Sequence, residues 1–212
     1  MNRIFSTRWF LSLLVFTFIF TSNVVLAQSL PSQITYDIVY VKAPRKGDDT
    51  FVNIPEVFDP IKVEAGSDLV LLHPDGSEEV LVTAGKGAIL DPVVSFDAEW
   101  VYYSKVHDQT NLNSQRRLAA RSGADIFKIN LETRAIIQLT FQEWTPNTGV
   151  ANWSDSPLSG ASDENILDYG IYNLGPCPLP GGKVMFTSSR NGFLPNKSFT
   201  FPNLQLFVMD ED

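Results

Sequence analysis

The chain has two histidines, and each lies close to an aspartate in a short polar stretch. His107 is followed directly by Asp108, while His73 opens the sequence His73-Pro74-Asp75-Gly76. A histidine oriented by a carboxylate can act as a general base or as a metal ligand. Pro and Gly at the observed positions favour a β-turn around His73. We therefore predict that His107 is a loop residue that contributes to partner binding, and that His73 is a turn residue.

A second group of candidate residues lies in a long loop insertion at 141–169. Its two tryptophans, Trp144 and Trp153, flank a Pro- and Gly-containing stretch. Exposed tryptophan can anchor a protein partner or stack on a sugar, and buried tryptophan would instead pack between sheets. We predict partner binding by Trp144 and Trp153. Oxygen ligands in such a loop could also bind Ca²⁺, but no spacing matches an EF-hand, so a solvated acidic loop is expected at Asp155, Asp163, Glu164 and Asp168.

The sequence lacks the residues that several common cofactor sites and catalytic sites require. The single cysteine, Cys177, can form neither an internal disulfide, nor a CxxCH haem attachment, nor a multi-cysteine zinc site. The chain contains no Gly-x-Ser-x-Gly sequence of the kind that positions a hydrolase nucleophile. We therefore predict no catalytic residues, no metal site and no cofactor in this chain.

The charge balance narrows the choice of partner. With 24 acidic and 16 basic residues the formal net charge is −8, and the pI is about 4.7. A nucleic-acid-binding protein needs a basic face that displaces counterions from phosphate, and an anionic membrane attracts basic segments. The composition therefore argues against a nucleic-acid partner and against docking on an anionic membrane.

Residues 1–27 have the three parts of a secretion signal. Arg3 and Arg8 supply a positive beginning, and the apolar stretch at 9–20 is shorter than a membrane span. Ala27 meets the small-residue rule at the cleavage position. We predict cleavage after Ala27, a periplasmic or extracellular location, and no stable membrane anchor after cleavage.

Short β-strands must position these residues, because no sustained helical period of apolar residues follows residue 28. The fold class is therefore predicted as all-β. A lead segment at 28–66 should contain one or two strands, and the rhythmic part covers 67–212. Cys177 lies between two prolines, which predicts a stiff loop entering a strand. Alternating apolar stretches bounded by turn residues predict strands at 34–41, 68–72, 80–82, 91–96, 100–104, 125–130, 135–140, 184–188 and 204–209.

Two hairpin units alternate along the chain, which is typical of propeller blades. One unit runs from Asp125-Ile126-Phe127 to Leu139-Thr140, and the other runs from Pro180-Gly181-Gly182-Lys183 to Ser188. These units resemble the PD40-type repeats of the TolB-like β-propeller family. That resemblance implies a periplasmic interaction protein. One turn, Asp97-Ala98-Glu99, departs from the family by lacking its Asp-Gly pair.

The repeats supply about two blades and part of a third, whereas a closed propeller needs about four to eight. We therefore expect a partial β-propeller that is a fragment of a six- to eight-bladed one. Our first functional hypothesis is a non-catalytic scaffold for protein interaction.

Two alternatives remain open. The stretch 177–182 with Ser189-Arg190 also resembles the propeller of the hydrazine synthase alpha subunit. That resemblance implies a larger redox protein with its haem site outside this chain. The other alternative is the propeller of a secreted hydrolase similar to prolyl oligopeptidases, again with the catalytic domain elsewhere.

Overall fold

A computed structural model describes residues 34–44, 60–109, 122–144, 170–191 and 203–211. The predicted signal peptide, Trp153 and the four acidic residues of the insertion lie outside these ranges. Residues 34–212 belong to one compact unit. Within the described ranges all regular structure is β-strand apart from one short 3-10 turn, Gln142–Trp144. The all-β prediction is confirmed. No helix in this part of the chain is long and apolar enough to cross a membrane.

The strands form three antiparallel sheets, each following the chain from strand to neighbouring strand. Because their sequences are rich in β-branched and aromatic residues, they suit pleated, half-buried surfaces. The first sheet contains β1 (Ile38–Lys42), β2 (Asp68–Leu72) and β3 (Glu78–Val82). The second contains β4 (Ala88–Val94), β5 (Trp100–Val106), β6 (Ala124–Asn130) and β7 (Ile136–Gln138). The third contains β8 (Asn173–Leu179), β9 (Lys183–Ser188) and β10 (Gln205–Asp210).

The prediction of a stiff loop around Cys177 is wrong, because this residue lies in strand β8. Proline is tolerated there for two reasons. Among the described strands β8 pairs only with β9, so it lies at the edge of its sheet. The strand also contains a β-bulge between Leu174 and Cys177, where the ladder is interrupted.

The same bulge occurs in β4, which shows that the third sheet repeats the second. The sequence Leu90-Asp91-Pro92-Val93 corresponds to Leu174-Gly175-Pro176-Cys177. The second residue of each has a positive φ, 50° at Asp91 and 62° at Gly175. The strands that follow differ by one residue in their spacing from β4 and β8, since Leu90 pairs with Ser104 but Leu174 pairs with Thr187.

The three sheets stack face to face, with the second sheet in the middle. On one side, Leu69 of the first sheet packs with Ile89 and Tyr103 of the second. On the other side, Leu90 of the second sheet packs with Leu174 of the third. Stacked antiparallel sheets in chain order form a partial β-propeller, and we call the three sheets blade 1, blade 2 and blade 3.

The connections differ sharply between the two ends of this stack. At one end, which we call the hairpin end, short turns join the strands, at 73–77, 95–99, 131–135 and 180–182. At the other, which we call the loop end, the connections are 43–67, 83–87, 107–123, 139–172 and 189–204. The two ends keep the same direction from blade to blade, because Ser67 bridges Ala88 and Ala124 bridges Tyr172 at the loop end.

Candidate functional site

A buried carboxylate, Asp125, organises the loop end between blades 2 and 3. It is the second residue of β6 and is 1% exposed. Its Oδ1 accepts hydrogen bonds from Thr140 Oγ1 at 2.7 Å and from the Gln142 backbone N–H at 2.9 Å. It also accepts one from Asn173 Nδ2, in blade 3, at 3.2 Å. A buried carboxylate with this many donors is satisfied without water.

His107 binds the other oxygen of the same carboxylate. The residue follows β5 directly, and its Nε2 lies 2.8 Å from Asp125 Oδ2. The imidazole edge rests on the Phe127 ring, with 6.4 Å between ring centres, and the side chain is 30% exposed. The sequence suggested the adjacent Asp108 as its carboxylate, whereas the contact comes from a residue 18 positions away. Partner binding by His107 stays a prediction.

Blade 3 contributes a second polar group that joins Asp125 through Asn173. Ser188 Oγ donates to Asn173 Oδ1 at 2.8 Å, and Arg190 donates to both, with Nε 3.0 Å from Ser188 Oγ and Nη2 3.2 Å from Asn173 Oδ1. The guanidinium lies 5.3 Å from the Phe186 ring centre. Burial lowers the pKa of Arg190, and the negative charge of Asp125 acts in the opposite direction.

We call these five residues the polar clip: His107, Asp125, Asn173, Ser188 and Arg190. The clip links strand ends of blades 2 and 3 through hydrogen bonds, so it fixes their register at the loop end. Its one partly exposed histidine touches a carboxylate, and within the described ranges no hydroxyl or thiol bonds to the imidazole. The arrangement therefore holds together strand ends of two neighbouring blades.

The other candidate residues from the sequence lie outside the polar clip. His73 sits at the hairpin end, where Nδ1 is 3.0 Å from Asp37 Oδ1, so it ties the start of β1 to the turn after β2. Trp144 ends the 3-10 turn at the loop end, on the same end of the stack as His107. In the described part of the chain, no group of three His, Cys, Asp or Glu residues could hold a metal ion.

Sequence reasoning did not single out Asp125, Asn173 or Arg190 as site residues. The sequence analysis used Asp125 only as the first residue of a repeated hairpin unit. It used Ser189-Arg190 only as part of a family resemblance. Since the clip joins residues from four separate strand ends, its members come together only when the blades stack. The resemblance of 177–182 to hydrazine synthase remains a prediction.

No protein-family model and no curated protein matches this chain. Among solved structures, the chain is similar to a protein described as a TolB of Agrobacterium tumefaciens, with 17% identity over 82% of this chain and 41% of that one, and a TM-score of 0.41. It is also similar to TolB from Acinetobacter baumannii, with 14% identity over 69% of this chain and 36% of that one, and a TM-score of 0.29. The chain thus spans less than half the length of these two structures.

Proposed function

We propose that this chain is an exported propeller segment that binds a protein partner at its loop end, without catalysing a reaction. The observation that supports the proposal is the asymmetry between the two ends of the stack. Tight turns occupy the hairpin end, whereas the long connections 43–67, 107–123, 139–172 and 189–204 all leave from the loop end. Binding residues are found disproportionately on loops held by a rigid scaffold.

The polar clip supplies the rigid part of this proposed surface. Asp125 ties the end of β5, the exit of β7 and the start of β8 together, and the connections 107–123 and 139–172 begin or end at these three strands. A fixed base lowers the entropy that the loops lose when a partner binds. The predicted signal peptide and the acidic composition favour an extracytoplasmic protein partner over nucleic acid.

Two exposed phenylalanines offer a matched test of which end binds. Phe141 lies at the loop end and Phe96 in a turn at the hairpin end, with exposed fractions of 51% and 82%. Each can be replaced by p-benzoylphenylalanine, a photoreactive residue of related shape, in the full chain expressed in its host. We expect light to produce a discrete cross-linked adduct from position 141 and none from position 96.

Mass spectrometry then identifies the adduct, and the variant His107→Ala should weaken it, because the variant removes one hydrogen bond from the carboxylate that fixes the strand ends. An adduct from position 96 alone, or equal adducts from both positions, would contradict binding at the loop end. Complete absence of adducts from both positions would contradict the interaction itself.

A further inference from the structure

Charged side chains replace apolar ones where the contact between blades 1 and 2 reaches the hairpin end. Val39 packs on the core that the two blades share. It pairs with Leu71, and Leu71 pairs with Glu79, so the three residues share one face of blade 1. Asp37 precedes β1 and His73 follows β2, each two residues from this row, and alternation places both on the same face. A row of charged groups therefore borders the apolar contact between the blades.

The His73 imidazole lies between two carboxylates of this row. Its Nδ1 is 3.0 Å from Asp37 Oδ1, and its Nε2 is 3.8 Å from Glu79 Oε2. A neutral imidazole has one N–H and one lone pair, so it can donate to only one of these carboxylates and turns its lone pair to the other. A protonated imidazole has an N–H on each nitrogen and a positive charge. The arrangement therefore suits the protonated form.

Glu79 continues the contact into blade 2. Its carboxylate accepts two hydrogen bonds from Arg134, Nε to Oε1 and Nη2 to Oε2, each at 2.8 Å. Arg134 lies in the turn 131–135 that follows β6, so these bonds join the hairpin ends of two blades. They also lower the pKa of Glu79 below its ordinary value, which keeps the carboxylate ionised over the range in which an imidazole gains its proton.

A further carboxylate keeps the surroundings of His73 negative. Asp75 lies in the same turn, and hydrogen bonds from the Ser77 hydroxyl and backbone N–H lower the pKa of its carboxyl. Glu78 lies on the opposite face of β3, where it binds Tyr40 and Lys42. Contacts in the described part of the chain place four charged groups around the imidazole, the carboxylates of Asp37, Asp75 and Glu79 and the guanidinium of Arg134. This excess of negative charge favours a positive charge on the imidazole.

We propose that His73 makes the junction between blades 1 and 2 sensitive to pH. A proton taken up from solvent gives the imidazole a second N–H, so it can bind Asp37 and Glu79 together. The segment that enters β1 is then joined through Glu79 to the Arg134 turn of blade 2. Only the folded chain holds these carboxylates against the imidazole, so the proton stabilises the folded state. This stabilisation is present in mildly acidic solution and is lost as pH rises through the range in which imidazole titrates, about pH 5 to 8.

Thermal unfolding of the full chain and of the variant His73→Gln tests the proposal. Glutamine keeps a donor and an acceptor but takes up no proton. We expect the parent chain to unfold about 3 °C above the variant at about pH 5.5, where carboxylates stay ionised, and within about 1 °C of it at about pH 8.5. Asp37→Asn should give the same pattern, because it removes one of the two carboxylates that the protonated imidazole binds.

Glu78→Gln is the matched control, because it breaks a charged contact on the opposite face of the same strand. It should shift the unfolding midpoint by the same amount at both pH values. The double variant of His73→Gln with Asp37→Asn should lose no more pH dependence than either single variant, since both act on one contact. An equal difference between the parent chain and His73→Gln at the two pH values overturns the proposal. So does a pH-dependent effect of Glu78→Gln as large as that of His73→Gln.

Discussion

At the scale of single residues, Asp125 and Asp68 form a natural pair for comparison. Asp125 is the second residue of β6 and Asp68 is the first residue of β2. Each accepts a backbone N–H from the chain that follows the next strand, Gln142 after β7 and Ala84 after β3. Among the described residues, Asp68 Oδ1 accepts a hydrogen bond from the Ala84 N–H at 2.7 Å, whereas Asp125 also contacts His107, Thr140 and Asn173. The two carboxylates should therefore differ in their contribution to stability.

We predict that Asp125→Ala lowers the free energy of unfolding by about 3 kcal/mol, because it leaves several buried donors without an acceptor. Asp68→Ala should cost about 1 kcal/mol, the usual cost of one hydrogen bond. Urea denaturation of both variants measures the difference. Equal losses would show that the polar clip adds nothing to the hydrogen bond that the two positions share.

The turn Asp97-Ala98-Glu99 contains a strained residue. Ala98 has a φ of 59°, a region that glycine adopts at no steric cost. We predict that Ala98→Gly raises the free energy of unfolding by about 0.5 kcal/mol, since strain relief exceeds the added entropy of the unfolded chain. Thermal unfolding measures the change. A lower midpoint would mean that the turn carries no strain at this position.

Glu211 should make stability depend on pH. Burial acts to raise its pKa, but hydrogen bonds from Lys128 Nζ at 2.6 Å and Tyr102 Oη at 2.6 Å lower the pKa below its ordinary value. For a lowered carboxyl pKa, the stabilisation is present above the unfolded value of about 4.3 and is lost as pH falls through the folded value.

Glu211→Gln should therefore lower the unfolding midpoint at about pH 7 and have little effect at about pH 3. Melting curves of the variant and the parent chain at both pH values test this expectation. The same difference in midpoint at both values would contradict a role for the ionised carboxylate. Lys128→Met provides a control, because it removes the partner of Glu211. It should therefore lower the unfolding midpoint at about pH 7 and have little effect at about pH 3.

At the scale of the elements, Gly87 lets β4 approach the end of β5. A Cβ at this position would lie 2.0 Å from the Val106 carbonyl oxygen, so a side chain requires the backbone to move. Gly87→Ala should cost about 3 kcal/mol. Gly76 has open space but a φ of 87°, and Gly76→Ala should cost about 1 kcal/mol. Chemical denaturation compares them, and equal costs would contradict the close approach.

The sequence predicted most strands because their signals are local. Alternation and turn residues located β2, β5, β6 and β9 within about two residues. β8 was missed because prolines normally exclude a strand, and only the sheet shows that β8 lies at an edge with a bulge. Ser104 corresponds to Thr187 and not to Ser188, because the turn at 180–182 is shorter than the turn at 95–99.

At the scale of the whole molecule, the middle blade couples the other two. Ile129 belongs to the core between blades 1 and 2, and Leu174 to the core between blades 2 and 3. We predict that Ile129→Ala and Leu174→Ala each cost about 3 kcal/mol and lower the same calorimetric transition. Two separate transitions, each shifted by one variant alone, would show that the blades unfold independently.

The polar clip could not be predicted at this scale from the sequence. The sequence identified His107 as a possible general base or metal ligand. The carboxylate that it contacts depends on which strand ends come together in the folded blade. Asn173 and Arg190 belong to no catalytic or binding motif in the sequence. Asn173 contacts Asp125 of the neighbouring blade and Ser188 of its own blade, and Arg190 contacts Asn173. Stacking order is a property of the assembled molecule, whereas alternation and turns are properties of short segments.

The tight turns of the hairpin end make it a convenient handle for experiments that need a fixed orientation. Gly181 and Gly182 have open space around them, and the turn at 180–182 lies on the end opposite the polar clip. A short biotin-acceptor tag inserted between these glycines would tether the molecule to a sensor surface by that end. The loop end would then face the flowing solution, and each candidate partner would meet the same side of every immobilised molecule.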